Sequence, residues 1–300
     1  MSTIGILIKR NTKLFFKDKG MFFTSLLTPM ILLVIYATFL GNMYEDMYTA
    51  YIPQGIKASE ELVNACVGGQ LTSSILAVSC VTVAFCSNML MVQDKANGTI
   101  KDITISPVKP TKLAISYYIS TLITTLIVCL AATGVCLIYL KVVGWYLNFN
   151  DILLLLLDVV LLVLLGTALS SIINFFLSTQ GQISAVGTII SAGYGFICGA
   201  YMPISEFNEG LQKVISFLPG TYGTPLMRNH VMRGVFEEME DIGMSTEIIE
   251  MLKDGIDCNF YFFEDKVEFS TMYLVLVGAI IAFIAIYILM NIIQSKKVSI

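Results

Sequence analysis

Charge is scarce in this chain. Only 13% of its 300 residues are Asp, Glu, Lys or Arg, against about 25% in a soluble domain. Histidine is scarcer still: His230 stands alone, which excludes a multi-histidine metal site and two-histidine catalysis. No G-x-x-x-x-G-K-[ST] occurs, so the chain has no phosphate-cradling loop of its own. G-x-S-x-G and H-E-x-x-H are missing as well, and nothing in the residues composes an enzyme site. A net charge of −4 and a pI near 5.1 give no case for a nucleic-acid partner. The seven cysteines show no C-x2-C spacing. Cys80, Cys86, Cys129, Cys136 and Cys198 fall in apolar runs and read as small packing residues. Cys66 and Cys258 fall outside those runs, where a disulfide is open to them if both face an oxidising side.

What the chain has in quantity is apolar sequence: 56% of residues are hydrophobic and the mean hydropathy is +0.79. Six runs are long enough to cross about 30 Å of hydrocarbon as helices. They lie at Phe22–Leu40, Ser73–Val92, Leu113–Leu140, Ile152–Leu177, Ile183–Met202 and Met272–Ile293. The expected fold is therefore an all-α membrane protein with six transmembrane helices. Pro29 is expected to kink the first, because it removes a backbone donor. Ahead of that span, residues 1–20 hold an amphipathic segment. Ile4, Leu7, Ile8, Leu14 and Phe15 share one side of a helix, and Lys9, Arg10, Lys13 and Lys17 the other. This is the pattern of a helix lying in the headgroup plane, its basic face toward anionic lipid.

Basic residues orient the spans. With a cytoplasmic N-terminus, the inside segments hold Lys9, Arg10, Lys13, Lys17 and Lys19, then Lys95, Lys101, Lys109 and Lys112, then Lys296 and Lys297; these are eleven of the 18 Lys and Arg. The short outer loops hold only Lys57 and Lys141, and the C-terminus returns to the inside. Outside, Gly41–Thr72 reads as a moderately polar loop. Residues 203–234 read as short helices that dip into the outer leaflet and return, broken by Pro219, Gly220, Gly223 and Pro225. Residues 235–271 read as an acidic, solvated insert. Residues 272–300 form the last span and a tail.

The largest inside loop within the block 21–202 is 93–112, QDKANGTIKDITISPVKPTK. A plain turn between spans needs about half as many residues. This one has room for a short helix across the membrane face and an extended re-entry. In the fifth run, Gly187, Ser191, Gly195 and Gly199 recur every four residues, a stripe of small side chains that lets another helix approach, within one protomer or across a dimer. Asp158 is the one acid well inside a span, about two turns from its outer end. At that depth a partly hydrated structural carboxylate is favoured over a proton relay.

Two stretches carry a family resemblance. Asp94-Lys95, Gly98-Thr99, Ser106-Pro107 and Pro110 resemble the coupling loop of the ATP-binding-cassette type-2 exporter permeases. Pro203-Ile204, Leu211-Gln212, Ile215-Ser216, Leu218-Pro219, Thr221-Tyr222 and Arg228 resemble that family's signature after the fifth span. Gln93-Asp94-Lys95 stands where many members have an acidic-basic-acidic run, and the acidic segment is long for the family. The resemblance implies a non-catalytic permease in a prokaryotic cell membrane. It implies two copies, as a homodimer or with a related chain. Each copy docks on a cytoplasmic ATPase that binds ATP and Mg, leaving this chain without a cofactor. Asp94, Lys95, Gly98, Thr99, Lys101 and Asp102 would couple to that ATPase, and Pro203, Pro219, Tyr222 and Arg228 would build the outer re-entrant segment. The first and fifth spans would line the path and the dimer seam. The substrate would be an amphiphilic drug, antimicrobial peptide or lipid-like molecule, or else a lipid-linked glycan or wall polymer. Two readings of another class are a secondary transporter, which would show repeats or midplane charges, and a sensor reading ligands with its outer segment.

The orientation has a direct test. In a cysteine-free background, single cysteines at Asn97 and Glu240 are expected to label from opposite sides of intact cells. Labelling of both by one impermeant reagent would remove the six-span arrangement.

Overall fold

The computed structural model describes residues 2–53, 58–105 and 108–298. Lys57, Ser106 and Pro107, used above, lie outside the described residues. The chain is helical almost throughout: α1 (Thr3–Lys17), α2 (Lys19–Ile35), a π-helical turn (Tyr36–Leu40), α3 (Gly41–Tyr51), α4 (Glu60–Ala96), α5 (Thr99–Ile105), α6 (Pro110–Val143), α7 (Phe149–Phe176), α8 (Gln180–Ile197), α9 (Glu209–Ser216), α10 (Gly223–Asp241), α11 (Thr246–Gly255) and α12 (Phe269–Val298). A two-stranded hairpin, β1 (Tyr261–Phe262) with β2 (Asp265–Lys266), precedes α12.

α4 is the axis. Every residue in its most apolar window is buried, against 22% in α12. Helices α2, α6, α7, α8 and α10 all pack on it. It is less apolar than α12, and its small and hydroxyl-bearing side chains suit protein neighbours rather than lipid. Its hydroxyls are satisfied locally, Ser79 donating to the Ile75 carbonyl and Thr82 to that of Val78. Asn88 Nδ2 reaches across to Ser170 and Ser171 of α7, and Ser87 Oγ lies 2.5 Å from Thr124 Oγ1 of α6.

Helix ends follow local chemistry. Ser2, Asp18 and Ser59 cap α1, α2 and α4. Asn148 with Asp151, and Thr179 with Gln182, form capping boxes on α7 and α8. Pro110 opens α6, where its missing N–H costs nothing.

Three expectations change. The first span does not stop at Leu40: helix continues through the π turn to Tyr51, and α4 starts at Glu60, so most of the expected loop Gly41–Thr72 is helix. Tyr36, Leu40, Tyr44 and Tyr48 are buried, four residues apart, while Glu45 and Asp46 face out. Averaged polarity hides such a two-faced helix. Pro29 lies inside α2, and the departure from α geometry comes later, at Tyr36–Leu40. Second, among the described residues five helices are long and apolar enough to cross a membrane: Lys19–Tyr51, Glu60–Ala96, Pro110–Val143, Phe149–Phe176 and Phe269–Gln294. The expected span Ile183–Met202 is α8, 18 residues long and opening on Gln180 and Gln182; at 1.5 Å per residue it reaches only about 27 Å. It stops because Gly199 turns left-handed (φ 67°) and the Ala200 and Tyr201 amides return to the Gly195 carbonyl. Third, the acidic segment 235–271 is no separate wet body. Val235, Phe236, Met239, Ile249, Leu252, Ile256 and Phe260 are buried in the core shared with the spans. Cys66 and Cys258, like the other five cysteines, are free and buried.

α7 approaches α4 backbone to backbone at Gly166. A Cβ there would sit 2.9 Å from the Cys80 carbonyl oxygen and 3.0 Å from the Val81 Cα. Gly166→Val is expected to destabilise the protein by about 1–3 kcal/mol, read as unfolding at lower detergent-denaturant concentration. Gly278→Val in α12, where nothing lies within 4 Å, is the control; equal behaviour of the two variants would disprove the close approach.

Candidate functional site

The end of α4 nearest the loop 93–112 is a junction of charged groups. Arg10 of α1 donates to both Asp94 carboxylate oxygens, at 2.5 and 3.1 Å. Tyr117 Oη of α6 donates to the same carboxylate at 2.5 Å. Asp94 holds the Arg10 guanidinium above its usual pKa, although burial pulls the other way. α1 thus turns Arg10 inward rather than to lipid, and buries Leu7, Asn11 and Phe15 while Lys9, Lys13 and Lys17 stay exposed. The next residue, Lys95, points elsewhere. Its Nζ donates to the carbonyls of Asn174, Phe175 and Leu177, at 3.2, 2.8 and 3.2 Å, where the α7 dipole is negative. Two consecutive residues therefore tie the end of α4 to α1, α6 and α7.

Past Ala96 the chain turns at Gly98 (φ 79°), a left-handed position that suits glycine. Thr99 then starts α5, a seven-residue helix. Ile100 and Ile103 rest on the core, and Lys101, Asp102 and Ile105 are exposed. The expected short helix across this end is present. Asp94 and Lys95, expected to pair with a partner protein, are instead committed within the chain.

The other end holds a second set of charges, carried by α10. Asp158 of α7 is buried, and protein groups take both its oxygens: His230 Nδ1 at 2.6 Å and Tyr273 Oη of α12 at 2.7 Å. It is more deeply enclosed by protein than its depth suggested. One turn beyond His230, Arg233 grips Asp151 through Nε and Nη2 at 2.5 and 2.9 Å and also pairs with Glu237. The Asp151 bond raises the Arg233 pKa. Arg228 has no exposed side-chain surface. It donates to the Ile256 carbonyl, to the Gly199 carbonyl at 3.1 Å and to Ser74 Oγ at 3.2 Å, with Asp257 Oδ2 3.8 Å away. Asp257 also accepts the Ile204 amide at 2.6 Å; burial pushes its carboxyl up to about 6 against the pull of Arg228. Pro203 precedes the 3-10 turn Ile204–Glu206, and Pro219 begins another, Pro219–Tyr222. Tyr222 is buried, its hydroxyl on the Ser216 carbonyl at 2.8 Å. Asp257 thus links the turn that follows Pro203 to Arg228.

The family model for the ABC-2 type transporter matches residues 2–232. The chain belongs to the ABC-2 type transporter family. It is a multipass membrane protein, the permease component of an ABC transporter. None of the curated proteins compared with it matches. The matched part of this ABC-2 permease contains the Arg10–Asp94–Tyr117 junction, Asp158, Arg228 and His230, and ends inside α10.

In the ABC-2 permease the small-residue stripe packs within the chain. A Cβ on Gly187 would meet the Met89 methyl at 2.9 Å, and one on Gly195 would overlap the Tyr201 ring. The Ser191 carbonyl lies 3.4 Å from both Thr28 Oγ1 and Tyr201 Oη. Gly199 lies beyond α8, as its C-terminal turn. Sequence reading missed Arg10, Tyr117, His230, Tyr273 and Ser74 as partners. One signal was available: an acid inside a span needs a partner, and His230 was the one histidine to offer.

Arg10→Ala and Asp94→Ala, measured singly and together by reversible unfolding in detergent, are expected to couple by about 1–3 kcal/mol. Additivity within about 0.5 kcal/mol would show that the pair holds nothing together.

Proposed function

We propose that this permease exports an amphiphilic molecule (a drug, an antimicrobial peptide or a lipid-like compound) out of the cell. ATP hydrolysis in a separate cytoplasmic ATPase drives it, and ATP and Mg belong to that subunit. Two permease copies, identical or related, pair with two ATPase copies. Each copy crosses the cell membrane six times, α8 being the short fifth span, with both termini in the cytoplasm. The segment from Ile204 to Tyr222 dips into the outer leaflet.

One observation carries the coupling scheme: α1, α5 and the ends of α4, α6 and α7 gather at one end of the molecule, joined through Asp94 and Lys95. An ATPase seated there meets Lys101 and Asp102 on the outward side of α5 and the exposed Lys9 and Lys13 of α1. Asp94 and Lys95 then act inside the permease, passing a displacement of α1 or α5 to three spans. Thr99 begins the helix that receives the push, and Gly98 sets its angle to α4.

Gly98→Trp is expected to leave the protein inserted in the membrane and to abolish substrate-stimulated ATP hydrolysis or release the ATPase. Among the described residues a Cβ at Gly98 meets nothing within 4 Å, so the effect comes from the left-handed backbone and the bulk offered to the partner. Asn tolerates that backbone, and Gly98→Asn should keep coupling. The readouts are co-purification and ATPase rate. Wild-type values for Gly98→Trp with transport intact would make the loop a passive connection.

A further inference from the structure

α6 and α12 part at the end that carries α1 and α5, and leave a groove between them of about 240 Å³. Ala114, Ile115 and Tyr118 line it from α6, and Ile284, Ile288 and Asn291 from α12. Its exposed wall is almost wholly carbon. The Tyr118 ring stacks on Tyr287 at 5.8 Å, and the Tyr287 hydroxyl donates to the Ala114 carbonyl at 3.3 Å, so the floor is stitched to both helices. The Tyr118 hydroxyl is itself buried, so the groove presents the ring rather than the polar tip.

The mouth of the groove has a sign. Thr111, in the first turn of α6, lies on its rim. On either side in sequence, Lys109 is the N-cap and Lys112 follows, both exposed. The N-terminus of this 34-residue helix adds its own positive end. Neither α6 nor α12 contains an acidic residue to offset this. A carbon-walled groove inside a membrane, opening beneath two lysines and a helix N-terminus, matches one class of molecule.

We propose that the groove holds an acyl chain of an anionic phospholipid whose phosphate sits at Lys109, Lys112 and the first turn of α6. The volume favours one chain: drug-sized ligand pockets run to roughly 300–1,000 Å³. A chain lying between α6 and α12 fills the gap and covers the Tyr118–Tyr287 stack. The headgroup fixes the start of α6, which follows the loop from α5. The bound lipid therefore steadies α6, which carries the Tyr117 hydroxyl that donates to Asp94, and joins the membrane to the junction described above.

The test is lipid retention by the purified permease in detergent, read by native mass spectrometry with dioleoylphosphatidylglycerol and dioleoylphosphatidylcholine in competition. The wild-type protein should retain phosphatidylglycerol in preference. Lys109→Gln with Lys112→Gln, both exposed and harmless to folding, should weaken that preference roughly fivefold per lysine. Ile288→Trp, which fills the groove, should reduce retention of both lipids while the melting temperature in phosphatidylcholine stays within a few degrees. Equal retention of the two lipids by wild type would overturn the proposal, as would an unchanged preference in the lysine variant or unchanged retention in Ile288→Trp. Competition by glycerol 3-phosphate alone would point to a phosphate site without a chain. Conversion of dimer to monomer by Ile288→Trp in lipid-free detergent would mark the groove as a seam between copies. Either result also overturns the lipid assignment.

Discussion

A helix with neither lipid nor water along its most apolar stretch must find protein on every side, and α4 is such a helix. Its backbone closes its own hydrogen bonds, as a spanning helix must. Its side chains are mostly small: Gly, Ala, Ser, Cys, Thr and Val recur from Cys66 to Ser87. That composition lets neighbours approach closely, and association within a membrane depends on close packing because lipid offers no hydrophobic drive. The arrangement of α2, α6, α7, α8 and α10 follows from this enclosure. One polar junction lies at the end of α4, at Asp94 and Lys95; the other reaches α4 at Ser74, well inside the helix.

Those junctions do different physical jobs from surface ion pairs. An exposed pair contributes roughly 0–1 kcal/mol. A buried pair adds little net stability either, because desolvation offsets the attraction, yet losing one partner costs about 3–5 kcal/mol. Asp94 is such a group: buried, with Arg10 and Tyr117 as its bonds to α1 and α6. Its worth lies in specifying one geometry for the helix ends rather than in adding stability. Lys95 complements it by holding the carbonyl end of α7. Together the two residues tie the end of α4 to α1, α6 and α7.

Much of this architecture was legible in the sequence because it is local. Apolar runs mark spans by length, and five of the six expected runs fall in helices long and apolar enough to cross. The two-faced segment Thr3–Lys17 is a helix, and the polar stretch 93–112 contains the short helix its length allowed. What was not legible depends on distance along the chain. Arg10 and Asp94 are 84 residues apart, Asp158 and His230 are 72, and Asp158 and Tyr273 are 115; no local period connects them. Other misses came from averaging. The buried tyrosine face of Gly41–Tyr51 and the buried Val235, Phe236 and Met239 of the acidic segment sit among charged residues, so both stretches read as wet loops. Burial of one face is a tertiary fact, and polarity summed over a window erases it.

The acidic segment shows what such averaging conceals about charge. α10 presents Arg228, His230 and Arg233, and each meets a carboxylate from outside α10: Asp257, Asp158 and Asp151. Asp151 and Asp158 are seven residues apart, two turns along one face of α7, so one helix face receives both His230 and Arg233. Arg228 points instead to the loop after α11 and to Ser74 of α4. Asp257 thus belongs to the acidic segment by sequence and to the interior by position, where its carboxylate is the nearest counter-charge to a guanidinium with no exposed surface. The family match ends at Met232, which leaves Asp257 beyond it and Arg228 within it. The guanidinium inside the matched region is therefore neutralised from outside it. The segment after Met232 cannot be treated as decoration on a finished permease: without Asp257 and the Ile256 carbonyl, the buried Arg228 would keep only Ser74 and Gly199, two neutral acceptors for a full charge.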